Sequence, residues 1–169
     1  MKFATGALSL IALVTMLAAL AVANEATTVT VYKSPTCGCC SKWVRHLEQH
    51  GFTVETHDLR DVTPVKEANG VPRGLVSCHT ALVGGYVVEG HVPASDVARL
   101  LEQRPPIVGL AVPKMPIGSP GMEGPNPEPY QVLSFDDKGR VAVFSSHKPA
   151  TVGRRIPAAS GSTASGQAP

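Results

Sequence analysis

The chain has 169 residues, with 15 Lys and Arg against 13 Asp and Glu and a formal net charge of +2. This near balance argues against the strongly basic surface by which proteins bind nucleic acid. Hydrophobic residues make up 43% of the chain, and its length is enough for one domain with its own core and some additional chain.

The first 23 residues have the pattern of a secretory signal peptide. Lys2 precedes an uncharged apolar run over residues 7–21, and the small residues Ala21 and Ala23 form a cleavage site. The run is too short and too rich in alanine to favour a stable membrane span, and no second run of that length follows. We therefore predict residues 1–23 as a signal peptide and expect the rest to be secreted without a membrane anchor.

Hydrophobic periodicity predicts alternating strands and helices in the next part of the chain. Residues 28–32 alternate β-branched side chains, as a strand does, and the segment after the first cysteines keeps its apolar residues on one helical face until Gly51. Thr63, which precedes a proline, is predicted to cap a short helix. Two glycines at Gly84 and Gly85 predict a tight hairpin. The predicted elements are strand 28–32, helix 41–51, strand 52–57, helix 63–70, strands 80–83 and 86–89, and helix 95–103.

This order of elements, with a cysteine motif between the first strand and the first helix, is the layout of a thioredoxin or glutaredoxin domain. The predicted class is therefore α/β, and we assign residues 24–104 to a thioredoxin-like domain. Residues 105–152 are predicted as a proline- and glycine-rich metal-binding extension, which includes a hairpin with strands 130–135 and 140–145. Residues 153–169, mostly Ser, Ala, Gly and Pro, are predicted to be a disordered tail.

Three cysteines within four residues form the most informative motif. Cys37 and Cys40 alone make a CxxC at the start of a helix, where free backbone N–H groups and the helix dipole stabilise a thiolate. This spacing is typical of redox-active pairs, so these two are the candidate catalytic residues. Cys39 is a third thiol inside the motif, and three thiols cannot all pair with one another. Neighbouring thiolates suit soft metal ions, such as Cu(I), that sulfur atoms can bridge.

The fourth sulfur comes from Cys78. In thioredoxin-like domains the loop before the third strand lies against the active-site motif, and Cys78 falls in that place, followed by His79. We expect Cys78, with His79 as a further candidate, to face the three motif cysteines, and we expect Cys78 to join them as a metal ligand. In a secreted protein, a disulfide between Cys78 and one motif cysteine is the structural alternative.

Two methionines and one histidine extend the candidate metal set. Met115 and Met122 are the only methionines after residue 23, and both lie in a proline- and glycine-rich loop. Thioethers bind Cu(I) better than Zn(II), which favours copper, although methionines can equally pack the extension onto the domain. His91 follows the hairpin on a stretch that can turn back to the site. His46 and His50 are four residues apart on the first helix, and a solvated helix face explains them as well as a metal does.

The chain closely resembles the CopG-type periplasmic copper-resistance proteins, which carry a CxCC motif. The matching stretches are PTCGCCSKWVRHLEQHGF, GVPRGLVSCHTALVGGYVVEGHVPASDVARLL and GLAVPKMPIGSPGME, which together span about residues 32–130. The resemblance implies a thioredoxin-like domain with a C-terminal extension that helps to bind metal, a periplasmic location, and copper at the cysteine motif. Lys114 stands where we expect a glycine before the methionine. The implied copper ligands are Cys37, Cys39, Cys40, Cys78, Met115 and Met122, with His91 as an addition.

We therefore hypothesise a periplasmic protein that holds one or more Cu(I) ions on thiolates, interconverts Cu(I) and Cu(II), and hands copper to an efflux partner. Two other functions stay open. A thiol-disulfide oxidoreductase acting on proteins would need neither Cys39 nor the loop methionines. A passive copper chaperone would use the same ligands without redox turnover. Nothing in the sequence demands more than a monomer.

Overall fold

The computed structural model describes residues 28–149, so the predicted signal peptide and the predicted tail from residue 153 lie outside the described residues. Residues 28–149 form a seven-stranded sheet in the order β2-β1-β3-β4-β5-β6-β7, with three α-helices and a short 3-10 helix over Arg73–Leu75. The helices are α1 Gly38–Gln49, α2 Thr63–Ala68 and α3 Ala94–Gln103. The strands are β1 Thr28–Lys33, β2 Thr53–Asp58, β3 Thr80–Val83, β4 Tyr86–Gly90, β5 Gly109–Val112, β6 Tyr130–Phe135 and β7 Val141–His147.

The sheet mixes parallel and antiparallel pairs, which confirms the predicted α/β class. β1 is parallel to β2 and antiparallel to β3, and β3 and β4 form the predicted hairpin. β5 is parallel to β4 and is followed by two antiparallel strands, β6 and β7, which form the second predicted hairpin. The extension therefore continues the sheet of the first part of the chain. That residues 24–104 form a thioredoxin-like domain, and that a separate extension begins at residue 105, stay predictions.

One face of the sheet is covered by α1 and α3. The apolar face of α1 buries Trp43 and Leu47 completely, and α3 contributes Leu100 to the same core. Val31 of β1 and Val88 of β4 complete the core from the sheet side. Because the apolar residues of α1 recur at helical spacing, this packing fixes which side of α1 faces the sheet. The short connection from β1 places the amino-terminal end of α1 at the carboxyl end of that strand.

β4 is buried on both faces, because a second, smaller apolar cluster lies on the opposite side of the sheet. That cluster contains Val87, whose side chain points away from that of its neighbour Val88. Its other buried members are Val71, Leu75, Ala111 and Phe135. A polar side chain on this face of β4 is consequently also buried, as Glu89 is.

β5 is not predicted by the sequence pattern. Its four residues are buried, but they stand in a stretch interrupted by prolines, which favours an irregular extension. Gly109 opens the strand opposite Val87, and a Cβ atom at Gly109 would overlap the backbone carbonyl of Val87. Glycine is therefore needed for the close approach of these two strands.

The predicted N-cap of α2 was wrong by one residue. The helix begins at Thr63 with Val62 as its cap, and Val62 makes no side-chain capping bond. Asp61 explains the shift, since its carboxylate accepts a hydrogen bond from the Thr63 N–H at 2.9 Å. An aspartate side chain that accepts a hydrogen bond from the backbone N–H two residues ahead stabilises the start of a helix without a capping hydroxyl.

Candidate metal centre

The cysteine motif lies at the amino-terminal end of α1. Cys37 is the N-cap residue, and the Cys40 N–H donates to its Sγ at 3.4 Å. Cys37 and Cys40 form a disulfide, with their Cα atoms 5.3 Å apart. The two sulfur atoms therefore lie where the first-turn N–H groups of the helix point, an arrangement that stabilises a thiolate once the bond is reduced.

The other two cysteines are free thiols beside this disulfide. Cys39 Sγ lies 3.4 Å from Cys37 Sγ. Cys78 comes from the loop before β3, as predicted, and the four sulfur atoms all lie within 4.8 Å of one another. The alternative of a disulfide between Cys78 and the motif is not the arrangement in the structure, which pairs Cys37 with Cys40 instead.

His91 is fully buried beside Cys78, where the sequence analysis placed it as an additional ligand. Its Nδ1 lies 2.6 Å from the carbonyl oxygen of Pro120, and its Nε2 lies 3.0 Å from Cys78 Sγ. A carbonyl only accepts hydrogen bonds, so Nδ1 carries the proton and Nε2 presents a lone pair to the sulfur. This is the tautomer that could ligate a metal through Nε2.

His79 is a further group at the site that the predicted set left out. Its ring is completely buried, packs against Trp43 with ring centres 4.4 Å apart, and has Nδ1 3.3 Å from Cys78 Sγ. Its Nε2 is buried and has no hydrogen-bond partner among the described residues. Adjacency to Cys78 was the only signal in the sequence for this histidine, and Cys78, His79 and His91 form a second group of close ligand atoms.

Both histidines are neutral at physiological pH. Burial, with a smaller effect of the His91 charge, places the pKa of His79 well below its usual range. Burial also lowers the pKa of His91, partly opposed by the Pro120 carbonyl. A neutral imidazole keeps the lone pair that a metal needs, so neither ring must lose a proton to bind one.

Cys78 is a protonated thiol at physiological pH. Burial, followed by the like charge of Cys39, raises the pKa of Cys78 to about 12. The thiol proton would have to leave before Cys78 could bind a metal ion as thiolate, so metal binding at this sulfur releases a proton.

We expect this raised pKa to slow the alkylation of Cys78. In the metal-free disulfide form, iodoacetamide should modify Cys78 slowly at pH 8, and the rate should rise about tenfold per pH unit below the pKa because only the thiolate reacts. Peptide mass spectrometry measures this alkylation rate over about three pH units, from about pH 7 to about pH 10. Unfolded protein is the control, and an equal Cys78 rate in folded and unfolded protein at pH 8 would contradict the expectation.

The extension closes over the site near Gly121. A Cβ atom at this glycine would lie 2.7 Å from the Cys39 carbonyl oxygen and 3.2 Å from His91 Nδ1. The Gly121 N–H donates to the Glu123 carboxylate at 2.7 Å, which fixes the turn that also carries Met122. Residues 120–121 thus contact both α1 and His91, and the predicted proximity of this part of the extension to the cysteines is explained by backbone contact.

Met115 has a different environment. It lines a cavity of about 660 Å³ between the extension and the second hairpin, together with Tyr130 and His147. None of the four cysteines lines that cavity. Metal ligation by Met115 and by Met122 stays a prediction.

His46 and His50 have partners on α1 and α3. His46 Nε2 accepts a hydrogen bond from the Ala94 N–H at 3.0 Å, which satisfies a backbone donor at the start of α3. His50 Nδ1 contacts the His46 carbonyl oxygen at 2.7 Å, and the two rings lie 4.3 Å apart. His46 therefore bonds α3 and does not simply face solvent, whereas His50 is exposed at the carboxyl end of α1, and these positions need no metal ion to explain them.

Two solved structures are similar to this chain over most of its length. One, named copper resistance protein CopG, Form 2, is 42% identical, with a TM-score of 0.70, and the match covers 73% of this chain and all of the other. A second, named Form 1 of the same protein, is 43% identical with a TM-score of 0.69 and covers 73% and 98%. The chain belongs to the CopG copper-resistance family. The resemblance of the sequence to that family is confirmed.

A family model described as a protein of unknown function, DUF411, matches residues 75–122 of this CopG-family chain. That range holds Cys78, His91 and the two extension methionines, and it ends just after the turn at Gly121. No curated protein matches the chain. Within residues 28–149, no helix is long and apolar enough to cross a membrane.

Proposed function

We propose that this CopG-family protein binds copper as its cargo and serves copper resistance in the periplasm. The observation that carries the proposal is the meeting of four cysteine sulfur atoms within 4.8 Å. Sulfur is the ligand that Cu(I) prefers, and a group of this size fits one or more Cu(I) ions with shared thiolates. The signal-peptide pattern over residues 1–23 supports export, and copper would then pass to an efflux partner.

The redox part of the proposal uses the Cys37–Cys40 disulfide. In the disulfide form only Cys39 and Cys78 are thiols. An external dithiol reduces this disulfide by giving up two electrons and two protons and becoming a disulfide itself, which leaves Cys37 and Cys40 as thiols and completes a four-sulfur site. In the reverse direction the Cys37 and Cys40 thiols give two electrons to two Cu(II) ions, which yields two Cu(I), two protons and the disulfide.

His91 and the extension supply the remaining proposed ligands. His91 is supported by its buried Nε2 lone pair, which points at Cys78 Sγ. Met122 is supported by the turn at Gly121, which holds the adjacent backbone against the site. Met115 would need to leave its cavity to reach the cysteines.

The test is the metal content, absorption spectrum and free-thiol count of protein from cells grown in copper-supplemented medium, measured as purified without reductant and again after reduction and addition of copper. We expect copper bound after reduction, with thiolate-to-copper charge-transfer absorption in the near ultraviolet that is lost on adding a strong Cu(I) chelator. Zn(II) added in place of copper is the matched comparison. Reduced protein that has four free thiols but binds no added Cu(I) would overturn the proposal.

A second candidate function is thiol-disulfide exchange with other proteins, because the disulfide at the start of α1 is itself a feature that such enzymes use. Insulin reduction by the metal-free reduced protein separates the two functions. Fast insulin reduction that copper loading does not inhibit would favour exchange. Repeated cycling of copper valence with an external electron donor separates the copper oxidoreductase from a passive chaperone.

A further inference from the structure

A buried ion pair lies under the loop that carries Cys78. Lys66 of α2 and Glu89 of β4 are 6% and 0% exposed, and Lys66 Nζ donates to Glu89 Oε1 at 2.7 Å. Thr80 joins them, since Lys66 Nζ donates to its hydroxyl at 3.0 Å and that hydroxyl donates to Glu89 Oε2 at 2.7 Å. Thr80 and Glu89 are opposite each other in the β3–β4 pair, so the sheet holds both on one face.

Stability alone is a weak reason for placing this pair in the core. Taking two charges out of water costs several kcal/mol per ion, and a well-packed apolar pair of similar volume is often as stable or more stable. Val87, which precedes Glu89 on the same face of β4, lies in the smaller apolar cluster, so the surroundings of Glu89 could also accommodate an apolar pair. Stability therefore does not explain why Lys66 and Glu89 are charged. A role that an apolar pair could not perform explains it better.

That role is visible in the third hydrogen bond of Glu89. The N–H of Ser77 donates to Glu89 Oε1 at 2.6 Å. On the other side of Cys78, the Gly90 N–H donates to the His79 carbonyl oxygen at 3.0 Å. The residues before and after Cys78 are thus both tied to the end of β4.

Gly90 brings the loop and the strand together. Its φ is +71°, a conformation that favours glycine, and a Cβ atom there would overlap the Ser77 side chain and lie 2.7 Å from the Val112 carbonyl oxygen. The loop therefore sits directly on the carboxyl end of β4, one residue from the Glu89 carboxylate.

We infer that Glu89, held by Lys66 and Thr80, is a positioning residue for Cys78 in copper binding. Three of the four sulfur atoms come from a rigid helix start, whereas Cys78 comes from a loop. Its sulfur keeps its place in the cluster only if the loop is anchored to the sheet. The charge-assisted bond from Ser77 to Glu89 anchors the residue before Cys78, as the backbone bond from Gly90 anchors the residue after it. This inference rests on the copper-binding function proposed above.

The first variant is Glu89→Gln, which keeps the side-chain volume and removes the charge. Partners that orient metal ligands typically change affinity by about 10- to 100-fold when replaced, and we expect a loss of Cu(I) affinity in that range. We also expect faster iodoacetamide alkylation of Cys78 in the metal-free disulfide form. Cys39 in the same sample is the internal reference for alkylation.

The matched control is Asp58→Asn. Asp58 pairs with Lys33 at 2.6 Å, and Lys33 is nearly as buried as Lys66, at 7% exposure. Asp58 is itself half exposed, and this control leaves a buried lysine without its carboxylate partner while Ser77 keeps its bond. We expect it to lower the unfolding midpoint while leaving the Cys78 alkylation rate and the copper affinity at wild-type values.

The double variant Lys66→Met with Glu89→Leu covers the case in which Glu89→Gln does not fold. Because it replaces both charges with apolar groups, we expect a folded protein with a stability near that of wild type. It should still lose the Ser77 anchor and show faster Cys78 alkylation. Wild-type alkylation and wild-type copper affinity in this folded variant would overturn the inference.

The two proposals fail in different ways. If wild-type protein binds no copper, the proposed function fails, and the alkylation rate of Cys78 alone decides whether Glu89 anchors the loop. If wild type binds copper and the double variant binds it equally well with unchanged alkylation, only the positioning role fails.

Discussion

Replacing Cys39 with serine is expected to lower the copper bound by the reduced protein by about one ion, because a sulfur that bridges soft metal ions serves more than one of them. The Cys37–Cys40 disulfide should still form, since Cys39 is not part of it. A serine hydroxyl has the shape of the thiol but binds Cu(I) poorly. Copper per protein is measured after reduction, loading and removal of loosely bound metal.

A thiol count in the oxidised protein shows that the change is local. Wild type should have two free thiols, Cys39 and Cys78, and the variant one. Ser41→Ala is the matched control, because Ser41 lies two residues on in the same helical turn and contacts the Cys37 carbonyl oxygen through its hydroxyl. Equal copper in Cys39→Ser and wild type would show that Cys39 does not bridge metal ions.

The proximity of the four cysteines could be predicted from the sequence. It depends on residue patterns within single strands and helices and on an order of these elements that is common to many domains. Alternating β-branched residues in β1 and helical spacing in α1 place the CxCC motif at a helix start. The hairpin at Gly84 then fixes the direction of β3, and hence the loop that precedes it. Cys78 is only two residues before β3, so a small error in the strand boundary could not move it far from the motif.

The contacts that support the site could not be predicted in the same way. Lys66 occupies one position in a helix of six residues, too short for its periodicity to mark a buried face. Glu89 is the last residue but one of a strand that is buried on both faces. The neighbouring strand β5 contributes to that burial, and its proline-rich context concealed it in the sequence. His79 was visible only as a neighbour of Cys78, and its burial against Trp43 depends on how α1 packs.

The turn at Gly121 is a similar long-range feature, since the sequence predicts a proline- and glycine-rich loop but not its tight backbone contact with α1. Gly121 has φ +85° and packs on α1, so close that a Cβ atom would be 2.7 Å from the Cys39 carbonyl oxygen and 3.0 Å from the Trp43 nitrogen. Both atoms belong to helix backbone, which cannot rotate aside as a side chain can. The glycine is thus required both for its conformation and for its lack of a side chain.

Gly139→Ala separates these two requirements. Gly139 also has a left-handed conformation, φ +74°, but a Cβ atom there would meet nothing within 4 Å. Alanine at Gly139 should therefore cost only the conformational penalty, about 1–2 kcal/mol in the free energy of unfolding. Urea unfolding of Gly139→Ala and of Gly121→Ala, followed by tryptophan fluorescence, compares their free energies of unfolding.

Gly121→Ala should cost that penalty and about 1–3 kcal/mol more, because the added methyl group must displace helix backbone or the extension. Displacing the extension would also move the Pro120 carbonyl, which bonds His91 Nδ1 at 2.6 Å and fixes the tautomer that faces Cys78. We therefore expect copper to pass to a Cu(I) chelator faster from Gly121→Ala than from Gly139→Ala. Equal stability losses and equal transfer rates in the two variants would show that the extension does not close the metal site, whereas a larger stability loss with an unchanged rate would assign Gly121 to folding alone.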